Sequence, residues 1–219
     1  MKNKDAALPE QAKNFFESLP AEICGFKLKK IFSEDEDKFI YFTFEDEKIH
    51  RAATAYFHEE TSEFKVRVKI GLTEFCLTEF FTKDFEHFGE LISKNLEGVI
   101  KNLSADKDLN PLVEEKNFGD WEYGKNLPKN LEGFELFISP KNPFPFTNGS
   151  HVIINYSDFE NFSDLTIYYN VYGDNFSGET RIKNVPNVIY SFDSKNLKEL
   201  ESKLETNLIS ELSAIKNAE

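Results

Sequence analysis

Residues 58 to 60, a histidine followed by two glutamates, form the most site-like cluster in this sequence. An imidazole beside carboxylates can move protons or bind a metal ion. Neither His50 nor His58 has a second ligand at the spacing that metal-binding helices use. Because the cluster follows a predicted strand, we interpret it as a solvated turn, with a catalytic or metal-binding role as the alternative.

Other chemical signatures are missing from the sequence. It contains no glycine-rich phosphate loop, no serine nucleophile motif and no cysteine-histidine pair with local support. The acidic run at residues 34–37 lacks the glycine and the distal glutamate of a calcium loop, so we expect a hairpin turn there. Cys24 and Cys76 occupy strand-like apolar positions and are predicted to be buried thiols. We therefore expect no catalytic residue, no metal ion and no cofactor, which favours a protein without enzymatic activity.

The charge of the chain limits its partners. Its 219 residues include 26 Lys and Arg against 39 Asp and Glu, a formal net charge of -13. A field of this sign repels nucleic acids and anionic membranes, and it suits solubility or a basic protein partner. The sequence shows no signal peptide and no run of ~20 apolar residues, and its cysteines suit a reducing compartment. These features predict a cytoplasmic protein that binds neither nucleic acid nor membrane.

Short motifs recur about half a chain apart, which predicts a tandem duplication. The repeated motifs are Leu-Pro at 19–20 and 127–128, Gly-Phe at 25–26 and 133–134, and Leu-Ser-Ala at 103–105 and 212–214. The alternating segment 64–71 also matches segment 165–173. We therefore predict two α+β repeats as domains, residues 1–106 and 107–219.

Each repeat is expected to contain a short helix, four or five strands and a long amphipathic helix. The short helices are predicted at 9–18 and 111–120, and Asp84 and Ser194 are the predicted N-caps of the long ones. The predicted strands are 25–32, 38–45, 51–58, 63–70 and 75–81, then 133–139, 150–157, 164–172, 178–184 and 187–192.

This order of helix, strand meander and helix, without βαβ units, predicts an α+β fold. Each antiparallel sheet would be covered on one face by the long C-terminal helix of its unit, and the other face would stay open. The order of elements is similar to the duplicated saddle of the TATA-box-binding proteins, in which a pseudo-two-fold axis relates the halves. The resemblance covers element order alone, without a shared motif, and implies no function.

The open faces supply the first candidate binding residues. In the first repeat, Lys65, Arg67 and Lys69 alternate along one strand and would form a cationic face. In the second repeat, Tyr168 and Tyr172 would form an aromatic face. The two halves are therefore predicted to differ chemically.

Two further segments contain candidate contact residues. The proline-rich loop 139–149 has no similar stretch in the first repeat, and its prolines are expected to prevent regular strand pairing. Its Phe144 and Phe146 are expected to pack on the core, with exposure as a contact site as the alternative. Trp121 lies where the repeats join, and we expect it to pack between them.

These features favour a non-catalytic, cytoplasmic binding or regulatory protein that acts through protein-protein contacts. One alternative is a small apolar-ligand binder or weak hydrolase, with a pocket between sheet and helices. The other is an acidic, immunity-type neutraliser of a basic protein, which the net charge of -13 suggests. The sequence leaves the identity of the partner and the oligomeric state open.

Overall fold

The computed structural model describes residues 10–104 and 110–218. The chain has an α+β fold with two antiparallel sheets, and it divides into two compact units, Met1–Asp108 and Leu109–Glu219. The predicted division between residues 106 and 107 lies outside the described residues.

The first unit is a six-stranded antiparallel meander between two helices. Its elements are α1 (Glu10–Glu17), β1 (Glu22–Ile23), β2 (Phe26–Asp35), β3 (Lys38–Asp46), a 3-10 turn (Glu47–Ile49), β4 (Arg51–His58), β5 (Glu63–Ile70), β6 (Thr73–Thr82) and α2 (Phe85–Leu103). Neighbours in the sequence are neighbours in the sheet, so that β6 forms one edge and β1 the other.

The second unit contains a seven-stranded antiparallel sheet and a long last helix. Its elements are α3 (Leu112–Glu115), α4 (Glu122–Lys125), β7 (Asn130–Leu131), β8 (Phe134–Ile138), β9 (Phe144–Pro145), β10 (Ser150–Asp158), β11 (Ser163–Asn170), β12 (Asn175–Ile182), β13 (Val185–Ser194) and α5 (Leu197–Ala218). The strand order is β13-β12-β11-β10-β8-β7, and β9 pairs with β10. The predicted helix at 111–120 is wrong, because α3 ends after one turn and Asn117 adopts a left-handed conformation with φ of 58°.

The two long helices present one apolar stripe each to the sheet of their own unit, as predicted. The buried residues of α2 include Phe88, Ile92, Leu96, Ile100 and Leu103, and those of α5 are Leu200, Leu204, Leu208, Leu212 and Ile215. Their spacing of three or four residues places each set on one helical face. These stripes close the hydrophobic core of each unit.

One of the two predicted helix caps is correct. The Asp84 side chain accepts a hydrogen bond from the backbone N–H of His87 at 2.7 Å and caps α2. Ser194 does not cap α5, because it is buried at the end of β13. Asn196 does so instead, accepting from the N–H of Glu199 at 2.9 Å. An asparagine next to the first helical turn satisfies the same backbone donor.

The repeated Gly-Phe motif forms the same turn in both units. Cys24 and Gly25 have φ of 48° and 86°, and Glu132 and Gly133 have φ of 52° and 88°. Two consecutive residues with positive φ form the tight hairpin turn that suits the right-handed strand twist. Cys24 is exposed in this turn, so its predicted burial at a strand position is wrong.

Candidate functional site

The three predicted cations lie together on one face of the first sheet. Lys65, Arg67 and Lys69 alternate along β5, and the opposite face of β5 carries buried Val66 and Val68. Helix α2 packs on that opposite face, where Phe88 stacks on Phe64 with ring centroids 5.2 Å apart. The sequence therefore assigned these cations to the correct face.

Carboxylates accompany the three cations. The Lys65 Nζ lies 3.1 Å from Glu63 Oε2, and the Arg67 Nη1 lies 3.4 Å from Glu74 Oε2. Glu74 is also the cross-strand neighbour of Lys69. Two carboxylates thus lie beside three cations, and opposite charges at neighbouring positions offset each other. This strand therefore does not present a run of uncompensated positive charge.

The same face of the first sheet is also less open than predicted. Thr43 and Thr54 are 8% and 7% exposed, and their hydroxyls lie 3.0 Å apart. The Arg67 guanidinium lies over the Tyr56 ring, 5.7 Å from its centroid, and the Tyr56 hydroxyl lies 3.2 Å from Cys76 Sγ. The Arg67 side chain thus covers part of this face, and the threonine side chains of the same face are buried.

The corresponding face of the second sheet carries a buried polar network. Ser157 Oγ donates to Asn155 Oδ1 at 2.6 Å, and Asn155 Nδ2 donates to Thr166 Oγ1 at 2.8 Å. Thr166 Oγ1 donates in turn to Asp164 Oδ1 at 3.4 Å. Arg181 Nε lies 3.5 Å from Asp164 Oδ2, and Asp164 is 1% exposed.

Burial dominates the electrostatics of this network. It raises the pKa of Asp164 to about 6, because the Arg181 charge offsets only part of the desolvation. Burial also raises the pKa of the neighbouring Glu179. A carboxyl group that titrates near neutral pH can exchange protons in physiological conditions. The sequence predicted a strand over residues 164–172 but gave Asp164 no role and missed this network, although polar residues alternate along β11.

The aromatic candidates of the second unit are only partly brought together. The rings of Tyr168 and Phe146 lie 5.7 Å apart, and burial raises the pKa of Tyr168. Tyr172 is 83% exposed and lies in the turn after β11, so its predicted place on the strand face is wrong. The Asn170 side chain ends the strand there by accepting hydrogen bonds from the N–H groups of Tyr172 and Gly173.

The proline-rich loop pairs with the sheet, contrary to the prediction. Phe144 is 4% exposed and lies opposite Val152, and Pro145 lies opposite His151. Pairing is possible because β9 is only two residues long and pairs with a single neighbouring strand, β10. The loop is therefore fixed to the sheet at Phe144.

Trp121 belongs to the core of the second unit. It is 6% exposed and stacks on Tyr123 with ring centroids 5.9 Å apart. Its Nε1–H donates to Glu201 Oε2 of α5 at 2.8 Å. These contacts fix Trp121 within one unit, whereas the sequence predicted packing between the two.

The histidine cluster links two hairpin turns of the first unit. His58 Nε2 lies 2.8 Å from Asp37 Oδ2, and His58 Nδ1 lies 2.9 Å from Thr61 Oγ1. Asp37, His58 and Glu60 place potential ligand atoms within 4.8 Å of one another, and Zn²⁺ accepts such ligands. In the second unit Asn170 bonds the turn residue Asn148 in a similar way, without carboxylates. Each unit therefore has a side chain at the end of a strand that bonds to a neighbouring turn.

A solvent-exposed groove of about 680 Å³ lies beside α2 and α1. Its apolar part is formed by Phe15, Phe85 and the backbone of Gly89. The polar part is formed by Glu86, Glu90, Ser93 and Lys94. The groove is shallow and open to solvent over most of its extent, so it differs from an enclosed ligand pocket. Its lining residues come from two distant segments, which is why no local sequence pattern indicates it.

The fold and these sites describe a two-unit α+β protein with a groove and buried polar networks. No family model matches the chain, and no similar chain was found among the curated proteins or the solved structures. Within the described residues, no helix is long and apolar enough to cross a membrane.

Proposed function

We propose that this chain is a cytoplasmic binding or regulatory protein that holds a basic, amphipathic segment of a protein partner in the α1-α2 groove. The observation that carries the proposal is an apolar lining beside two carboxylates, Glu86 and Glu90, which outnumber the single cation of the groove, Lys94. An amphipathic segment binds such a groove through its apolar side chains. Acidic residues beside the groove then favour a segment whose flanking side chains are cationic. The net charge of -13 supports the same choice of partner.

The floor of the groove is held by the core of the first unit. The Phe85 ring contacts Phe15 and Phe64, with centroids 6.4 Å and 5.6 Å away. Phe64 in turn stacks on the fully buried Phe88. A floor fixed in this way loses little conformational entropy on binding, which favours affinity.

Gly89 is buried against the Phe15 ring and forms part of the floor. A Cβ atom at this position would meet the Phe15 ring at 3.8 Å, so a small side chain fits, whereas a large one would push against Phe15 and change the shape of the groove. Gly98 lies nine residues further along α2, on the opposite face of the helix, and has open space around its Cβ position. These two glycines therefore provide a matched pair for testing the groove.

The binding test uses basic amphipathic peptides, labelled and titrated in a fluorescence anisotropy assay. We expect Gly89→Leu to abolish saturable binding and Gly98→Leu to preserve it, because both changes raise helix propensity and only one changes the shape of the groove. Glu86→Lys combined with Glu90→Lys should weaken binding and reduce its salt dependence. Equal affinity of the two leucine variants would contradict the proposal.

The other functions predicted from the sequence differ in their expected outcomes. A small apolar ligand suits this groove less well, because charged residues line much of it and it lies beside the helices rather than between helices and sheet. A neutraliser of a basic protein would use the same carboxylates with a folded partner. If a folded basic protein competes with the basic peptide for one site, that result would favour the neutraliser of a basic protein.

We also infer that the two units descend from one ancestral unit. Three pairs of matching features lie 112 positions apart: the bulged residues Tyr41 and Ile153, the buried Phe80 and Phe192, and the first helical residues Phe85 and Leu197. Constant spacing over strands and helix is difficult to obtain independently. The sequence aligned Leu103 with Leu212, whereas this spacing aligns Leu103 with Ile215. The saddle of joined sheets stays a prediction.

A further inference from the structure

Edge strand β13 has two of the usual protections against pairing with another strand, Pro186 and a register shift after Ile189, but it lacks charged side chains along its exposed stretch. Its stretch 185–192 contains no charged residue. Val185, Val188 and Tyr190 are 60%, 67% and 77% exposed. Natural edge strands usually carry charges, and the edge strand β6 of the first unit carries the exposed Glu74. The composition of β13 therefore favours an interface.

The hairpin geometry determines which backbone groups face outward. Lys183 and Asn184 form a two-residue turn with φ of 48° and 67°, and Ile182 lies opposite Val185. In such a hairpin the residues next to the turn exchange backbone hydrogen bonds, and alternate residues point away from the partner strand. The backbone groups of Pro186 and Val188 therefore face the open edge, and Tyr190 follows them at the start of the register shift.

The free part of this edge is short. Beyond Tyr190, the Asn207 side chain of α5 donates to the Ser191 carbonyl at 3.2 Å, and the Lys203 ammonium donates to the Asp193 carbonyl. These contacts satisfy backbone acceptors of the last residues of the strand. An added strand can therefore pair with residues 185–190 and not beyond them.

We propose that β13 pairs antiparallel with β13 of a second copy of this chain, with a two-fold axis at Val188. This proposal goes beyond the groove function and does not depend on it. In this register Val188 meets its own counterpart, with two backbone hydrogen bonds, and Pro186 lies opposite Tyr190. Pro186 has no N–H, and this arrangement places it at the ends of the paired stretch, where the loss is smallest.

Charge complementarity selects a second copy as the occupant. Lys183 and Asp193 are exposed and lie five positions before and after Val188. Antiparallel two-fold pairing therefore brings a cation of one copy towards a carboxylate of the other at both ends. The uncharged stretch between them keeps the net negative charge of the two chains away from the axis.

Sedimentation velocity tests the proposal at physiological salt, where charge repulsion is screened within ~8 Å. We expect a mass of twice 25.4 kDa for the native protein and a monomer for Val188→Lys, which places two cations at the axis. Ile209→Lys is the matched control, because Ile209 is 57% exposed on α5, away from the edge, and the dimer should persist. A native protein that stays monomeric at about 100 μM, or equal dimerisation of both variants, would overturn the proposal.

The register has its own test. Lys183→Glu and Asp193→Lys should each weaken the dimer several-fold, and the double variant should restore it because the opposite charges are exchanged. Failure of the double variant to recover would overturn the Val188 register. Circular dichroism of each variant controls for folding, and peptide binding in the groove should be unchanged throughout.

Discussion

Asp164 and Arg181 face each other across β11 and β12, with 3.5 Å between the carboxylate Oδ2 and the guanidinium Nε. Among the described residues, neither atom has a hydrogen-bond partner, and Asp164 is 1% exposed. A buried ion pair with poor geometry does not recover the cost of desolvation. Burial therefore raises the pKa of Asp164 to about 6, and the Arg181 charge, which lowers this pKa, offsets only part of the rise.

The raised pKa of Asp164 predicts that protonation of this residue stabilises the fold. The folded protein binds this proton more tightly than the unfolded chain, so the contribution grows as pH falls through about 6 and is absent well above it. Between pH 7 and pH 5 we expect a gain of about 1 kcal/mol in the free energy of unfolding from this group. Asp164→Asn should remove that gain.

Urea denaturation of both proteins at pH 7 and pH 5 measures the difference. The other titrating groups are common to the two proteins, so subtracting the two pH responses isolates Asp164 together with its electrostatic coupling to Glu179. Identical pH responses would show that the Asp164 carboxyl is not perturbed by burial.

Each unit has a buried phenylalanine in the irregular part of its last strand, and we expect its loss to lower the free energy of unfolding strongly. In β6 and β13 the register shifts before the helix, and Phe80 and Phe192 are both 0% exposed. Replacement of either by alanine should cost about 3 to 5 kcal/mol of unfolding free energy. Phe81→Ala is the control, since Phe81 is 38% exposed and should cost below about 1 kcal/mol. Similar losses at positions 80 and 81 would contradict this assignment.

The caps of α2 and α5 predict matched losses of stability. Asp84→Ala and Asn196→Ala should each lower the free energy of unfolding by about 1 kcal/mol, because each leaves a backbone N–H without its partner. Thr206→Ala, at an exposed position inside α5, should have little effect or stabilise the helix. Thermal denaturation followed by circular dichroism provides the comparison, and a neutral Asn196→Ala would assign the cap to another residue.

The two thiols are expected to react at different rates. Cys24 is exposed in its hairpin turn, whereas Cys76 is partly buried and lies 3.2 Å from the Tyr56 hydroxyl. A thiol reagent such as Ellman's should therefore modify one group rapidly and the second mainly after unfolding. Cys24→Ser should remove the rapid phase. A rapid phase that survives this substitution would place the accessible thiol at Cys76.

Much of the secondary structure follows from local patterns. The alternation of Val66, Val68 and Ile70 predicted β5 with its correct bounds, because one face of a strand is buried at every second residue. No local pattern of residues indicates which position a strand takes in the order of its sheet. The sequence therefore matched β5 with β11, whereas β12 has the corresponding place in the second sheet.

The sequence by itself determined the α+β class, the long amphipathic helices and the position of the cations on β5, since each depends on residue spacing within one element. Tertiary structure alone decided which polar groups are buried. Asp164 and Arg181 meet because two strands pair in one register, and the groove at Phe15 and Phe85 joins segments that are far apart in the chain. Burial and long-range pairing are properties of the assembled core, and no local pattern of residues specifies them.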